Sequence, residues 1–159
     1  MRHIISILVE NQVGVLAQVA GLFSARGYNI ESLNVGITNN PRFSHMTIVS
    51  IGEDAVIEQI RKQLEKLVLV VKVSDFSGQS YVERELVLMK INAPASKRME
   101  LMGLVEVFRA KIIDVSPTEM IVEVSGTEDK VEAFAQLVAP YGIKELARTG
   151  PVAMLRGTK

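Results

Sequence analysis

His3 and His45 are the only imidazoles in this 159-residue chain, and it has no cysteine. The two histidines are too far apart in sequence to form a metal-spaced pair. No glycine-rich phosphate loop and no G-x-S-x-G turn is present. Without cysteine, disulfides, thiolate zinc sites and cysteine nucleophiles all fall away, which fits a reducing cytoplasm. The expectation is therefore no catalytic residue and no metal ligand. Each histidine stands near a strand start and reads as an ordinary surface or edge-strand side chain. Glu83-Arg84-Glu85 reads as a solvated or interdomain ion-pair cluster and Lys97-Arg98 as an exposed helical turn. Met99, Met102 and Met120 read as core filler.

The informative chemistry is at Asn11-Gln12-Val13-Gly14-Val15-Leu16, where a strand turns into a helix and no charged residue occurs from Asn11 through Ala25. A helix start presents unpaired N–H groups that attract anions, and Gly14 lets a ligand approach the backbone without meeting a Cβ. Asn11 offers both a donor and an acceptor. An amino acid zwitterion needs both: donors for its carboxylate and acceptor oxygens for its ammonium. Val13, Val15 and Leu16 add apolar surface for a side chain. Spacing alone leaves a second reading open, in which Asn11 only caps the helix and Gly14 only relieves a tight turn.

The elements that must hold this turn follow from periodicity. Ile4 to Val9 is apolar at nearly every position, the pattern of a strand covered on both faces. Leu16, Val19, Ala20 and Phe23 mark one side of a helix that Gly27 closes. Strands are expected over 29–38 and 46–51, separated by the Asn39-Asn40-Pro41 turn. A helix carrying Ile57, Ile60, Leu64 and Leu67 follows, then a strand over 68–76. The order is β-α-β-β-α-β. After a short polar stretch at Ser77-Gly78-Gln79-Ser80 the order repeats. Strands over 86–91, 111–115, 120–125 and 143–147 alternate with helices capped by Ser96 and Thr127, and a loose tail runs from Gly150.

Right-handed crossovers fold such a unit into a ferredoxin-like sandwich with both helices on one face of an antiparallel sheet. The fold class is thus α+β, two βαββαβ sandwiches in tandem, with domains at 1–76 and 83–159 and a linker at 77–82. Domains of this size bury only ~60% of their unfolded surface, which predicts an oligomer, most simply a two-fold dimer with paired sheets. Lys+Arg and Asp+Glu each count 18. They divide 7 and 7 before Phe76 and 11 and 11 after it, so nucleic acid is not an expected partner. No apolar run approaches the ~20 residues of a spanning helix, so no membrane association is expected.

Asn11 to Leu16, then Phe23, then Gly27-Tyr28-Asn29-Ile30-Glu31-Ser32-Leu33 resemble an ACT domain, a small-molecule sensor module. With Ser44-His45-Met46-Thr47-Ile48, Val82-Glu83-Arg84-Glu85-Leu86, Phe108 to Val115 and Arg148-Thr149-Gly150, the resemblance extends over both halves. It points to the family of small regulatory subunits of acetolactate synthase, with an N-terminal ACT domain and an ACT-like C-terminal domain. That resemblance implies a non-catalytic, cytoplasmic partner of a large catalytic subunit in branched-chain amino acid biosynthesis. It activates that enzyme and confers valine feedback inhibition. Thiamine diphosphate, magnesium and FAD are implied for the catalytic partner, and no cofactor for this chain. The resemblance further implies a homodimer through the ACT domains, with a branched-chain effector between them. One wall matches Asn11, Val13, Gly14, Val15 and Leu16; the other, from the second subunit, matches Asn29 and Ile30. Gln12 stands where relatives often carry an acidic residue. The alternative reading is a free-standing amino acid-responsive ACT-type transcription regulator, for which neither half supplies a helix-turn-helix or a basic surface.

Overall fold

The computed structural model describes residues 1–158 and shows two compact units. The first comprises 1–82 together with the segment from Gly150 onward; the second comprises 83–149. The sequence-based boundary thus shifts at the C-terminal end, where the last segment packs with the first unit.

In the first unit, β1 (Arg2–Glu10), α1 (Val15–Ala25), β2 (Ile30–Ile37), β3 (Phe43–Ile51), α2 (Asp54–Glu65) and β4 (Val70–Asp75) follow the expected order. The antiparallel sheet runs β2-β3-β1-β4. β1 and β3 are central, which is why their residues are apolar on both faces. Ile5, Ile7 and Val9 of β1 and Met46 and Ile48 of β3 pack under Val19 and Phe23 of α1 and Ile57, Ile60 and Leu64 of α2. The alternate residues face away from the helices, and there Ile4, Val49, Phe76 and Ala153 form a smaller cluster.

Ala153 belongs to β9 (Val152–Leu155), and just beyond it the Arg156 N–H donates to the Ser80 carbonyl at 3.0 Å. The expected loose tail is therefore wrong: the stretch after Gly150-Pro151 forms a short strand whose Ala153 packs with Ile4, Val49 and Phe76. His3 is also not the surface histidine expected. It is 2% exposed, with Nδ1 2.9 Å from Asp75 Oδ2 and Nε2 3.1 Å from Asp54 Oδ1, and it joins β1 to β4 and to the first turn of α2.

The second unit repeats the plan with β5 (Tyr81–Asn92), α3 (Arg98–Val107), β6 (Lys111–Val115), β7 (Glu119–Gly126), α4 (Glu128–Val138) and, after a 3-10 turn at Ala139–Tyr141, β8 (Ile143–Arg148). Its strands run β6-β7-β5-β8. Val87, Met89 and Ile91 of β5 and Val122 and Val124 of β7 lie under Leu101 of α3 and Phe134 of α4. Phe134 meets Phe108 edge-on at 5.4 Å. Thr127 caps α4 as expected, its hydroxyl accepting from the Lys130 N–H at 3.3 Å.

Several local expectations fail here. Ser96 does not cap α3, because the chain first turns at Pro94, whose carbonyl accepts from the Lys97 N–H, and the helix starts at Arg98. The Arg98 guanidinium is held by the carbonyls of Ala93 and Ser116, so it is a tie and not an exposed turn. Met99 and Met102 are exposed and only Met120 is core. Glu85 is likewise not a solvated linker charge: it is 4% exposed and pairs with Arg148 at 2.5 Å.

Candidate functional site

The β1–α1 turn has the geometry that ligand capture at a helix start requires. Gly14 occupies the N-cap position with φ 87°, a left-handed backbone favoured by glycine, and an added Cβ there would meet open space. No side chain caps the helix, and its first turn carries no acidic residue. Asn11 therefore does not serve as the cap that the plainer reading assigned to it. Its Nδ2 donates to the Pro41 carbonyl at 3.2 Å and its own N–H to the Arg42 carbonyl at 2.8 Å. The turn is thereby tied to the β2–β3 hairpin, and the Asn11 side-chain oxygen Oδ1 is an acceptor. The first-turn amides of Leu16 and Ala17 lie outside the helix's own ladder of hydrogen bonds. Val15 is buried in the core, Leu16 is half-exposed and Val13 is fully exposed. Gln12 is exposed and donates to Glu10 Oε2 at 3.2 Å.

Asn29 and Ile30 are elsewhere. Ile30 opens β2 and is paired with Ser50, and the Ser50 hydroxyl donates to the Asn29 carbonyl at 2.9 Å. Glu10, at the mouth of the turn, is paired with Phe43. Phe43 and Ser50 are seven residues apart on β3, ~23 Å at 3.3 Å per residue. One chain therefore separates the two predicted walls by the length of the sheet. β2 is an edge strand, with Ile37 at the turn's end and Ile30 at the far end. Antiparallel pairing of this edge with its own copy about a two-fold axis brings the copy's Asn29 and Ile30 to the Ile37 end, beside Asn11 and Gly14.

His45 lies on the opposite, helix-free face of the same sheet. Its Nε2 is 2.6 Å from Ser6 Oγ, and burial pushes its pKa below the ordinary histidine value. Among the described residues no group of three His, Asp or Glu side chains is placed to hold a metal ion. No helix among them is long and apolar enough to cross a membrane.

Fold and turn together define a tandem ferredoxin-like protein whose first half is of the ACT type. Comparison with known proteins narrows the class. Residues 5–72 match the model described as "AHAS small subunit-like ACT domain", and residues 84–157 match "Small subunit of acetolactate synthase". A probable acetolactate synthase small subunit from Archaeoglobus fulgidus is 57% identical over 159 residues, covering 100% of this chain and 99% of the relative. The acetolactate synthase isozyme 3 small subunit of Salmonella typhimurium is 50% identical over 160 residues, covering 100% and 98%. The crystal structure of the acetolactate synthase small subunit from Thermotoga maritima superposes with a TM-score of 0.88 at 45% identity, covering 100% of this chain and 99% of that one. The chain belongs to the acetolactate synthase small-subunit family, and a large catalytic subunit is the partner that membership implies.

Proposed function

We propose that this chain is the non-catalytic regulatory subunit of a cytoplasmic acetolactate synthase. It raises the activity of the large subunit and transmits feedback inhibition by valine in branched-chain amino acid synthesis. In this reading two copies pair through the β2 edges of their ACT domains, and each of two equivalent sites holds one valine. The valine carboxylate meets the first-turn amides behind Gly14 and its ammonium meets Asn11 Oδ1. Its isopropyl group meets Val13 and Leu16, and Asn29 and Ile30 of the second copy close the site. The thiamine diphosphate, magnesium and FAD of the reaction belong to the catalytic partner.

The observation that carries the reading is the placement of the half-sites. An uncharged helix start with a left-handed glycine stands at one end of an edge strand, and Asn29 stands at the other. Regulation then consists of a coupling free energy between valine and the catalytic subunit, of the ~1–3 kcal/mol typical of allosteric proteins, and it acts reciprocally. A thermal-shift titration with valine, leucine and isoleucine tests the site. At about 100 times Kd a ligand adds ~2.7 kcal/mol of stability, so the midpoint rises with the logarithm of ligand concentration above Kd for at least one of the three. Their order reports the fit of the apolar wall, where one methylene is worth ~1–3 kcal/mol. A midpoint unmoved by all three would rule out the effector site.

A further inference from the structure

The helix-free face of the first unit's sheet is unusual in what covers it. Ser6, Ser32, Asn34, His45, Thr47 and Ser74 project from this face as a hydrogen-bonding strip, beside Leu8, Lys72 and the apolar Ile4 and Val49. Over it passes Gly150-Pro151 and then β9, whose residues are mostly apolar. The match is poor. Thr47 is 1% exposed and its Oγ1 has no hydrogen-bond partner among the described residues; the same is true of Ser32 Oγ. Buried hydroxyls are expensive to leave unpaired, and both lie on the face this one segment crosses.

Packing around β9 is also incomplete. Hollows of about 550 Å³ and about 260 Å³ both border Met154 and His45. Of the strand's own side chains only Ala153 is buried, a single methyl set among Ile4, Val49 and Phe76, while Val152 and Met154 are largely exposed. The other ties that hold the segment are polar and local. Asn34 Nδ2 donates to the carbonyls of Gly150 and Pro151 at 3.2 and 3.1 Å, and the Arg156 N–H donates to Ser80. Close approach depends on Gly150, which has φ 74° and whose added Cβ would come within 2.4 Å of Ser32 Oγ. The cover is thus anchored at its two ends and mismatched between them.

We propose that Gly150 to Leu155 is a releasable strap, in equilibrium between this docked position and a detached one that bares the helix-free face of the ACT sheet. Detachment returns the Thr47 and Ser32 hydroxyls to water and costs the burial of Pro151 and Ala153, the cover that Ala153 gives Ile4, Val49 and Phe76, and a few hydrogen bonds. It leaves the core between sheet and helices untouched. The strap is independent of the effector site, which lies at the edge and helix side of the same sheet.

The absence of cysteine makes the test direct. Met46 and Thr47 are adjacent on β3, one under the helices and the other under the strap, and both are fully buried. Met46→Cys and Thr47→Cys are made singly in the full chain, and the rate of modification by a water-soluble thiol reagent is followed under native conditions. Release of the strap exposes Cys at 47 without global unfolding, so it reacts about 100-fold faster or more than Cys at 46, whose exposure requires the core to open. Asn34→Ala, which removes the two ties to the strap, raises the rate at 47 about five- to tenfold and leaves the rate at 46 unchanged. Equal rates at 46 and 47, or a rate at 47 indifferent to Asn34→Ala, would overturn the proposal. Hydrogen exchange of the unsubstituted protein probes the same equilibrium without a variant. The amides of 153–156 exchange far faster than those of β1 if the strap releases, and as slowly as β1 if it does not.

Discussion

Gly14→Asp abolishes the valine-induced thermal shift while the protein stays folded. Three effects act together. The substituted residue must hold φ 87°, which costs a non-glycine residue of order 1 kcal/mol, although Asp bears it better than most. A Cβ meets nothing in the free chain, so folding is spared, but it occupies the space through which a ligand reaches the backbone. The carboxylate then stabilises the helix start and repels the ligand's own carboxylate from the same amides. The folded protein accepts the change and the site does not. A variant that keeps its shift with valine at about ten times the wild-type half-saturating concentration or less, a loss of at most ~1.4 kcal/mol, would place the effector elsewhere.

Phe23→Ala has the largest expected effect on stability. Phe23 is 1% exposed, on the core face of α1 with Val15 and Val19, against the sheet and α2. Truncating a buried phenylalanine costs ~3–5 kcal/mol in lost burial and cavity formation. A whole domain has ~5–15 kcal/mol, and small units lie at the lower end of that range. Urea unfolding is expected to show the loss as a lowered midpoint at unchanged slope. α1 carries the first-turn amides, so valine sensing fails with it. Val13→Ala, on the same turn but fully exposed, is the control and shifts stability by less than about 0.5 kcal/mol. A Phe23→Ala loss below about 1 kcal/mol would mean that α1 is not packed as described.

The parts of this molecule legible in its sequence are those decided locally or by burial. β1 is apolar at every position from Ile4 to Val9 except Ser6 because it is central in a covered sheet, and that pattern reads directly. Thr127 reads as a cap because its bond to Lys130 spans three residues. What could not be read depends on distant partners. Arg98 looks like a loose basic residue until the carbonyl of Ser116 comes to it. His3 looks like a surface histidine, yet its carboxylates lie 51 and 72 residues away. The strand at Val152 is too short to show a period and finds its partner at Ser80. The candidate effector residues were legible as an uncharged glycine turn and, through resemblance, as Asn29 and Ile30. Only the strand register puts these two groups at opposite ends of one chain's sheet. Thr47, Ser32 and the strip they belong to gave no signal, since alternating polar residues on a strand ordinarily mean contact with water.

Reconstitution with the large subunit of acetolactate synthase from the same source decides whether this chain regulates that enzyme. Acetolactate formation is measured for the large subunit alone, with this chain added, and with both in saturating valine. The expected result is no turnover by this chain alone, a rise in turnover when the two are mixed, and a fall back when valine is present. Turnover of the large subunit that neither rises with this chain nor responds to valine in its presence would contradict a regulatory role.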